Sequence, residues 1–375
     1  MELGKDVLKM FSFCERCGFC RATCPIQTPL EWLDSASPRG RVLLIVGLLR
    51  KELEPSEQVL LRLAECTLCG HCYVTCPQGI KLNEVVPKAR ALVREAGVAL
   101  EPYERVVETI TEYGNPYGVD RELRHSWTEY YDVEPEGRGE VALWLGCTTA
   151  FRRPDTAYAA YRILGEVAGS VAIVEEEECC GAPYYLIGEM GKLREQLERA
   201  IEAVEKTGAR EVVSTCPACV RSFREYSREV GVEVPFEVYH FAEYLAARGA
   251  LEKLGAEVEP LRVTYHDPCE LGRAMGVFDQ PRKVIESVRG AELVEMQANR
   301  EHSNCCGGGG MYFALEFENS IAIAEKRLRE VPSGVEVVVS ACPSCEVTLS
   351  VAAREGGVDV EVIDLAELLL RGVEK

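Results

Sequence analysis

The chain lacks the local patterns by which many cofactors are recognised. It contains no GxGxxG, so a flavin or nicotinamide is expected on another chain. The glycine run Gly307–Gly310 is not followed by Lys-Ser/Thr and is no phosphate loop. The longest apolar run, Val42–Leu49, is too short to cross a bilayer, so no transmembrane segment is expected. The opening Met1-Glu-Leu-Gly-Lys-Asp has no basic start followed by an apolar stretch, so no secretory leader is expected either. Asn and Gln together number only eleven, a scarcity that goes with the many Glu and Arg of thermophile proteins. Positive charge is also scarce after the first hundred residues. Residues 1–100 carry 13 Lys/Arg against 11 Asp/Glu, the remainder 29 against 50, and so acidic a body argues against nucleic acid.

Cysteine is abundant instead. There are eighteen in 375 residues, and all but Cys147 and Cys269 fall in CxxC, CxxxC or CC pairs. A cytoplasmic location is expected, where cysteines at such spacing bind metal more readily than they form structural disulfides. The length allows two or three domains with sizeable cores.

Residues 1–100 hold two similar runs, Cys14-x2-Cys17-x2-Cys20-x3-Cys24-Pro25 and Cys66-x2-Cys69-x2-Cys72-x3-Cys76-Pro77. Three thiolates at intervals of three wrap one cube-shaped cluster, and the fourth, before proline, turns to the other cluster. The spacing therefore predicts one [4Fe–4S] cubane on Cys14, Cys17, Cys20 and Cys76, and a second on Cys66, Cys69, Cys72 and Cys24. Tetrahedral zinc needs only two pairs, and leaves the third cysteine and the Cys-Pro endings without a role. Helices are expected over Val42–Leu49, Val59–Ala64 and Leu82–Glu95, packed around the clusters. Residues 101–140 read as a linker, with a helix over Glu101–Tyr113 and a break at Gly114-Asn-Pro-Tyr-Gly118. There Trp127, Tyr130 and Tyr131 are expected to cover an interface between modules.

The remainder repeats itself. Cys147, Cys179, Cys180, Cys216 and Cys219 recur as Cys269, Cys305, Cys306, Cys342 and Cys345, at offsets of 122 for the first pair and 126 thereafter. The flanks Val238–Leu245 and Val362–Leu369 also match, so two tandem copies, 141–258 and 259–375, are expected. Strands are expected at Val141–Leu145, Val171–Val174, Val212–Ser214 and Phe236–Tyr239, then Val263–His266, Glu292–Glu295, Val335–Ser340 and Val358–Ile363. Amphipathic helices such as Asp155–Val167, Lys192–Lys206 and Ile321–Glu330 separate them. The fold class is α/β, with parallel sheets whose sites lie at the carboxyl ends of strands.

Cys216-Pro217 and Cys342-Pro343 each place a cysteine where a strand ends and a helix begins, which favours a thiolate. A redox dithiol, vicinal disulfides and a zinc site remain open at these two constellations. His266, Asp267, Glu270 and His302 flank the second, as proton donors or as structural residues. The run Glu175–Glu178 reads as a solvated edge.

The spacing Cys147-x31-Cys179-Cys180-Gly181-x34-Cys216-x2-Cys219 and its second copy resemble the cysteine-rich CCG domain. Preceded by two ferredoxin-type runs, the chain resembles the D subunit of heterodisulfide reductase. Its relatives are the iron–sulfur subunits of glycolate oxidase and anaerobic glycerol-3-phosphate dehydrogenase. Further likeness lies in Ser37–Arg41, Gly114–Gly118, Tyr265–Cys269 and Asn299–Gly310. The resemblance implies an oxidoreductase with a noncubane [4Fe–4S] cluster on each complete five-cysteine set, where a disulfide of two thiol coenzymes is split. It implies partner subunits, a membrane cytochrome b or a flavoprotein, and attachment to the inner membrane face through the partner. Its alternative is electron transfer from a flavin-dependent 2-hydroxyacid or glycerol-3-phosphate dehydrogenase to quinone.

Overall fold

The computed structural model describes residues 4–374, helical up to residue 140 and alternating strand and helix beyond it. Met1–Leu3 and Lys375, at the outer ends of the first and last expected domains, lie outside the described residues. The front is framed by helices Lys5–Ser12, Pro38–Leu49, Glu57–Ala64, Leu82–Glu95 and Glu101–Tyr113. Two of them start earlier than their apolar runs because a serine caps each. Ser37 accepts the N–H of Gly40, with Pro38 in the first helical position. Ser56 accepts that of Val59. Such a cap is worth about 1 kcal/mol. Leu60, Leu63, Val86, Val93 and Ile110 of this frame share one core with Leu186, Ile187 and Leu193 of the following domain.

Residues 114–140 lie against that domain. Asn115 folds the break, donating to Tyr113 and Val119 carbonyls and accepting from the N–H of Tyr117. Trp127 is buried against Tyr161, with ring centres 5.7 Å apart. Glu136 pairs with Ala172 at the sheet edge.

Eight strands follow: β1 Val141–Leu143, β2 Val171–Ile173, β3 Glu211–Ser214, β4 Glu237–His240, β5 Glu257–Tyr265, β6 Arg289–Leu293, β7 Val337–Ser340 and β8 Glu361–Asp364. They form two four-stranded parallel sheets with the same order, β2-β1-β3-β4 and β6-β5-β7-β8. β1, β2 and β7 are buried along their length, as strands covered on both faces by helices must be. The expected Glu292–Glu295 strand lies earlier, at Arg289–Leu293. Gly290 explains the shift: its φ is +91°, and an added Cβ would stand 2.1 Å from the Val258 carbonyl oxygen. Only glycine lets this edge close on the irregular first half of β5.

The two sheets share a second core. Ala157, Ala160, Ile163 and Leu164 of helix Pro154–Ala168 join Leu365, Leu368 and Leu369 of helix Leu365–Val373. The alanines let these helices approach closely, and the carboxyl ends of β3 and β7 are thereby brought face to face.

Candidate metal centres

The two front runs adopt the same backbone. Arg16 and Leu68 have φ of 54° and 55°, Gly18 and Gly70 of 87° and 73°. Each run then makes one helical turn, Phe19–Ala22 or His71–Val74, before its Cys-Pro. These left-handed corners fall at matching positions of the two runs. The turns pack together, with Thr23 and Thr75 hydroxyls 3.2 Å apart beside Cys24 and Cys76.

Charge coupling groups the sulfurs across the runs. Cys20 is pushed up to about 11 by burial and then by Cys14, Cys24, Cys76 and Cys17. Cys24 is pushed up to about 11 by burial, against the pull of Arg41, with Cys69 and Cys66 beside it. Cys72 is raised by burial and then by Cys69, Cys66, Cys24 and Cys20. Cys20 thus feels both Cys24 and Cys76, and Cys24 feels the second run as well, so the two runs bring their eight sulfurs into one neighbourhood. Thiols so crowded resist ionisation unless cationic charge sits among them, which suits an iron–sulfur core.

In the first five-cysteine site, Cys147 opens a helix just after β1, Cys179 and Cys180 follow β2, and Cys216 caps the helix after β3. All five sulfurs belong to buried residues. Cys147 contacts Cys179, Cys179 contacts Cys180, and Cys219 contacts both Cys180 and Cys216. Cys180 is held below the usual thiol range by hydrogen bonds from Cys179 and Cys219, while Cys147 and Cys219 are raised.

The second site repeats this with Cys269 after β5, Cys305 and Cys306 after β6, and Cys342 capping helix Pro343–Gly356. Cys306 and Cys345 sulfurs are 3.1 Å apart, and the N–H of Gly307 donates to Cys305 at 3.3 Å. Cys306 is lowered by hydrogen bonds from Cys305 and Cys345. One ring nitrogen of His266 lies within 4.8 Å of the sulfurs of Cys306 and Cys345. Burial and then Arg327 pull His266 down to about 3, so its ring is neutral. Asp267 is bound by Arg282 in a two-fold ion pair at 2.7 and 2.9 Å, a structural tie. His302 points outward, 64% exposed. Glu270 reaches Arg221 and Tyr226 of the first copy.

Contacts join the sites. Cys69 of the front packs with Cys305 in one buried cluster. Cys216 and Cys342, one from each copy, are close enough to couple electrostatically. His240 stands between the two Cys-Pro turns, with Nε2 3.0 Å from the Thr215 carbonyl and 3.1 Å from that of Ala341. Gly309 and Gly310 meet the front run so closely that an added Cβ would lie 2.6 Å from the Thr67 and 2.5 Å from the Cys66 carbonyl oxygen. Arg90 donates to the carbonyls of Leu63, Ala64 and Cys66, and to those of Leu186 and Gly310.

Sequence reasoning overlooked several of these groups. The run Glu175–Glu178 is no uniform solvated edge, because Glu177 is buried. It accepts from Arg124 at 2.7 Å and from the N–H groups of Leu145 and Gly146 at 2.8 Å. Arg124, in the expected linker, also donates to the sulfur of Cys147 at 3.4 Å. Neither residue carries a local signal, since Arg and Glu fill the exposed surface as well.

Sequence comparison agrees with this chemistry. The family described as a cysteine-rich domain (CCG) matches residues 141–224 and 263–350. The 4Fe-4S dicluster domain matches 10–80. The protein is thus of the CCG-containing iron–sulfur class, an electron-transfer component of an oxidoreductase complex. Within that class, it is 32% identical to the D subunit of the dihydromethanophenazine:CoB–CoM heterodisulfide reductase of Methanosarcina barkeri. The match covers 95% of this chain and 92% of that protein. The chain belongs to this family. It is also 30% identical to the B subunit of the fumarate reductase (CoM/CoB) of Methanothermobacter marburgensis, over 81% of this chain and 60% of that one. An EtfAB:quinone oxidoreductase of Syntrophomonas wolfei is 28% identical over 99% of this chain and 59% of its own length. Among the described residues, no helix is long and apolar enough to cross a membrane.

Proposed function

We propose that the chain reduces a disulfide of two small thiols between its facing five-cysteine sites, using electrons received through the front module. The observation that carries this reading is the facing of the two Cys-Pro turns across His240, whose Nε2 lies 3.0 Å from the Thr215 carbonyl and 3.1 Å from that of Ala341, each turn from a complete five-cysteine set. A disulfide there takes up two electrons and two protons as its S–S bond breaks, giving two thiols, one sulfur beside each site.

The ligand assignment we propose follows the cysteine spacing, the fourth cysteine of each run crossing to the other cluster. Cys14, Cys17, Cys20 and Cys76 hold one cubane, and Cys66, Cys69, Cys72 and Cys24 the other. Cys147, Cys179, Cys180, Cys216 and Cys219 hold one noncubane cluster, and Cys269, Cys305, Cys306, Cys342 and Cys345 the second. Bound there, the clusters supply one-electron transfer and, at the five-cysteine sites, positions open to substrate sulfur. The chain's own residues arrange the rest. Cys69 against Cys305 makes the second front cage and the second five-cysteine site share a wall. The N-terminus of helix Pro343–Gly356 favours negative charge that develops by Cys342. Burial of nine of the ten body cysteines excludes water from it. The equal strand orders support internal duplication and a ferredoxin-like module in front, the expected bounds of 1–100, 101–140, 141–258 and 259–375 shifting where helix Glu101–Tyr113 joins the front and β5 opens the second copy at Glu257. The protein then works in the cytoplasm with a membrane cytochrome b or a flavoprotein.

The test gives the isolated, cluster-replete chain a reduced dye and a panel of small thiol-coenzyme disulfides. Dye oxidation that requires a disulfide is expected. Turnover only on adding a flavoprotein, with spectra indifferent to every disulfide, would favour the second reading. That reading is a relay to quinone, supported by the likeness to the EtfAB:quinone oxidoreductase.

A further inference from the structure

The two five-cysteine sites have equal ligand sets and unequal surroundings. In the first, Arg124 is buried, its side chain 2% exposed. One terminal nitrogen is taken by Glu177 at 2.7 Å, and the other donates to Cys147 Sγ at 3.4 Å. The carboxylate of Glu177 is held by the N–H groups of Leu145 and Gly146, so the ion pair is fixed to the turn that carries Cys147. The guanidinium also lies over the Phe151 ring, 5.1 Å from its centre.

The second site has no such donor. Arg273, near Cys269, gives Nε and Nη1 to carbonyls, those of Cys69 at 2.6 Å, Ser303 at 2.7 Å and Glu301 at 3.0 Å, and its buried Nη2 bonds to no sulfur, so it acts on this site by charge and not by a hydrogen bond. Among the described residues, no arginine N–H bonds to a sulfur there. Its sulfurs instead meet His266, which stands where the first copy has Trp144 at the same offset of 122. Arg327 donates to Nδ1 of His266 at 3.1 Å, which keeps that arginine one residue away from the sulfurs.

We propose that Arg124 is a positioning residue that makes the first site the more oxidising of the two, the place where electrons collect. The inference rests on the reading that both sites hold iron–sulfur clusters. Reduction adds negative charge to the sulfurs, and a donor that strengthens with that charge favours the reduced form. Hydrogen bonds to sulfur tune cluster potentials, and those from a charged donor are about twice as strong as neutral ones. Because Cys69 meets Cys305, electrons reach the second site before the first. A higher potential at the far site makes the passage downhill and draws charge away from the front.

The test is potentiometry of the full, cluster-loaded chain, followed by low-temperature paramagnetic resonance. Signals are assigned with Cys180→Ser for the first site and Cys306→Ser for the second. Arg124→Gln should favour the oxidised form of the first site about tenfold, a fall of about 59 mV for one electron. The second-site and front signals should stay in place, and Arg124→Lys should recover part of the shift. Arg124→Gln leaves Glu177 buried without its cation, so the double variant Arg124→Gln/Glu177→Gln is measured beside it and should show the same fall. Unmoved first-site potentials in a fully loaded double variant, or equal shifts at both sites, would overturn the inference. A wild-type chain with about eight irons would instead sink the reading beneath it, since four [4Fe–4S] clusters need about sixteen.

Discussion

The front and body cysteines sit in opposite kinds of surroundings. Of the eight in the front, only Cys69 is buried and Cys17 is exposed. Of the ten in the body, only Cys269 is not buried. Phe13, Phe19, Trp32 and Leu33 stand open around the first front run, while the body sites are sealed by helices and the opposite copy. Exposure suits groups that must exchange electrons with a visitor. Closure suits groups where charge accumulates and a bond breaks, because a dry site strengthens every electrostatic contact in it.

Removing one sulfur from each region is the harshest trial of that contrast. Cys306→Ser should lower disulfide reduction by at least about 100-fold, more than loss of an outer contact to a metal site, while both front clusters still take electrons from a dye. Cys20→Ser should erase one front signal and leave the body spectra intact. Identical spectral losses in the two variants would show that the regions are not separate.

Gly310→Ala probes the seam between them. It forces a non-glycine residue to a φ of +64° and a Cβ to within 2.5 Å of the Cys66 carbonyl oxygen. A loss of about 2–3 kcal/mol in stability is expected, read by denaturant titration. A neutral effect would mean that the front is not clamped to the second site.

The smallest effect is a pH dependence belonging to the closed region. Burial pulls His240 down to about 4, despite Glu243 and the two carbonyls it faces, with Arg224 adding to the pull. In the unfolded chain it takes a proton near pH 6.5, in the folded chain only near pH 4. Its contribution is therefore intact above about pH 6.5 and lost as pH falls towards 4, about 1.4 kcal/mol per unit at most. His240→Gln should flatten that slope in denaturation curves between about pH 7 and 5.5. An unchanged slope would remove His240 from the account.

What could be read from the sequence was what is encoded within a few residues. Leu82–Glu95 and Glu101–Tyr113 are observed as expected because their periodicity and end signals are local. The CPxC turns at Cys216 and Cys342 begin helices at the expected proline. Arg124 was illegible because its partners Glu177 and Cys147 lie 53 and 23 residues away. His240 was illegible for the same reason, lying 101 residues from Ala341. The early position of β6 depended on Gly290 meeting Val258, a contact that alternation of side chains does not announce.

Arg90 has one further consequence. Its guanidinium meets five carbonyls and no carboxylate in its hydrogen bonds, three from the front, one from the first α/β unit and one from the second. An arginine cannot shed its charge, so whichever part pulled away would leave a buried cation short of acceptors. The three parts therefore melt as one cooperative body, and the front cannot swing out as a tethered shuttle. A partner that exchanges electrons with the front must dock against it where it stands.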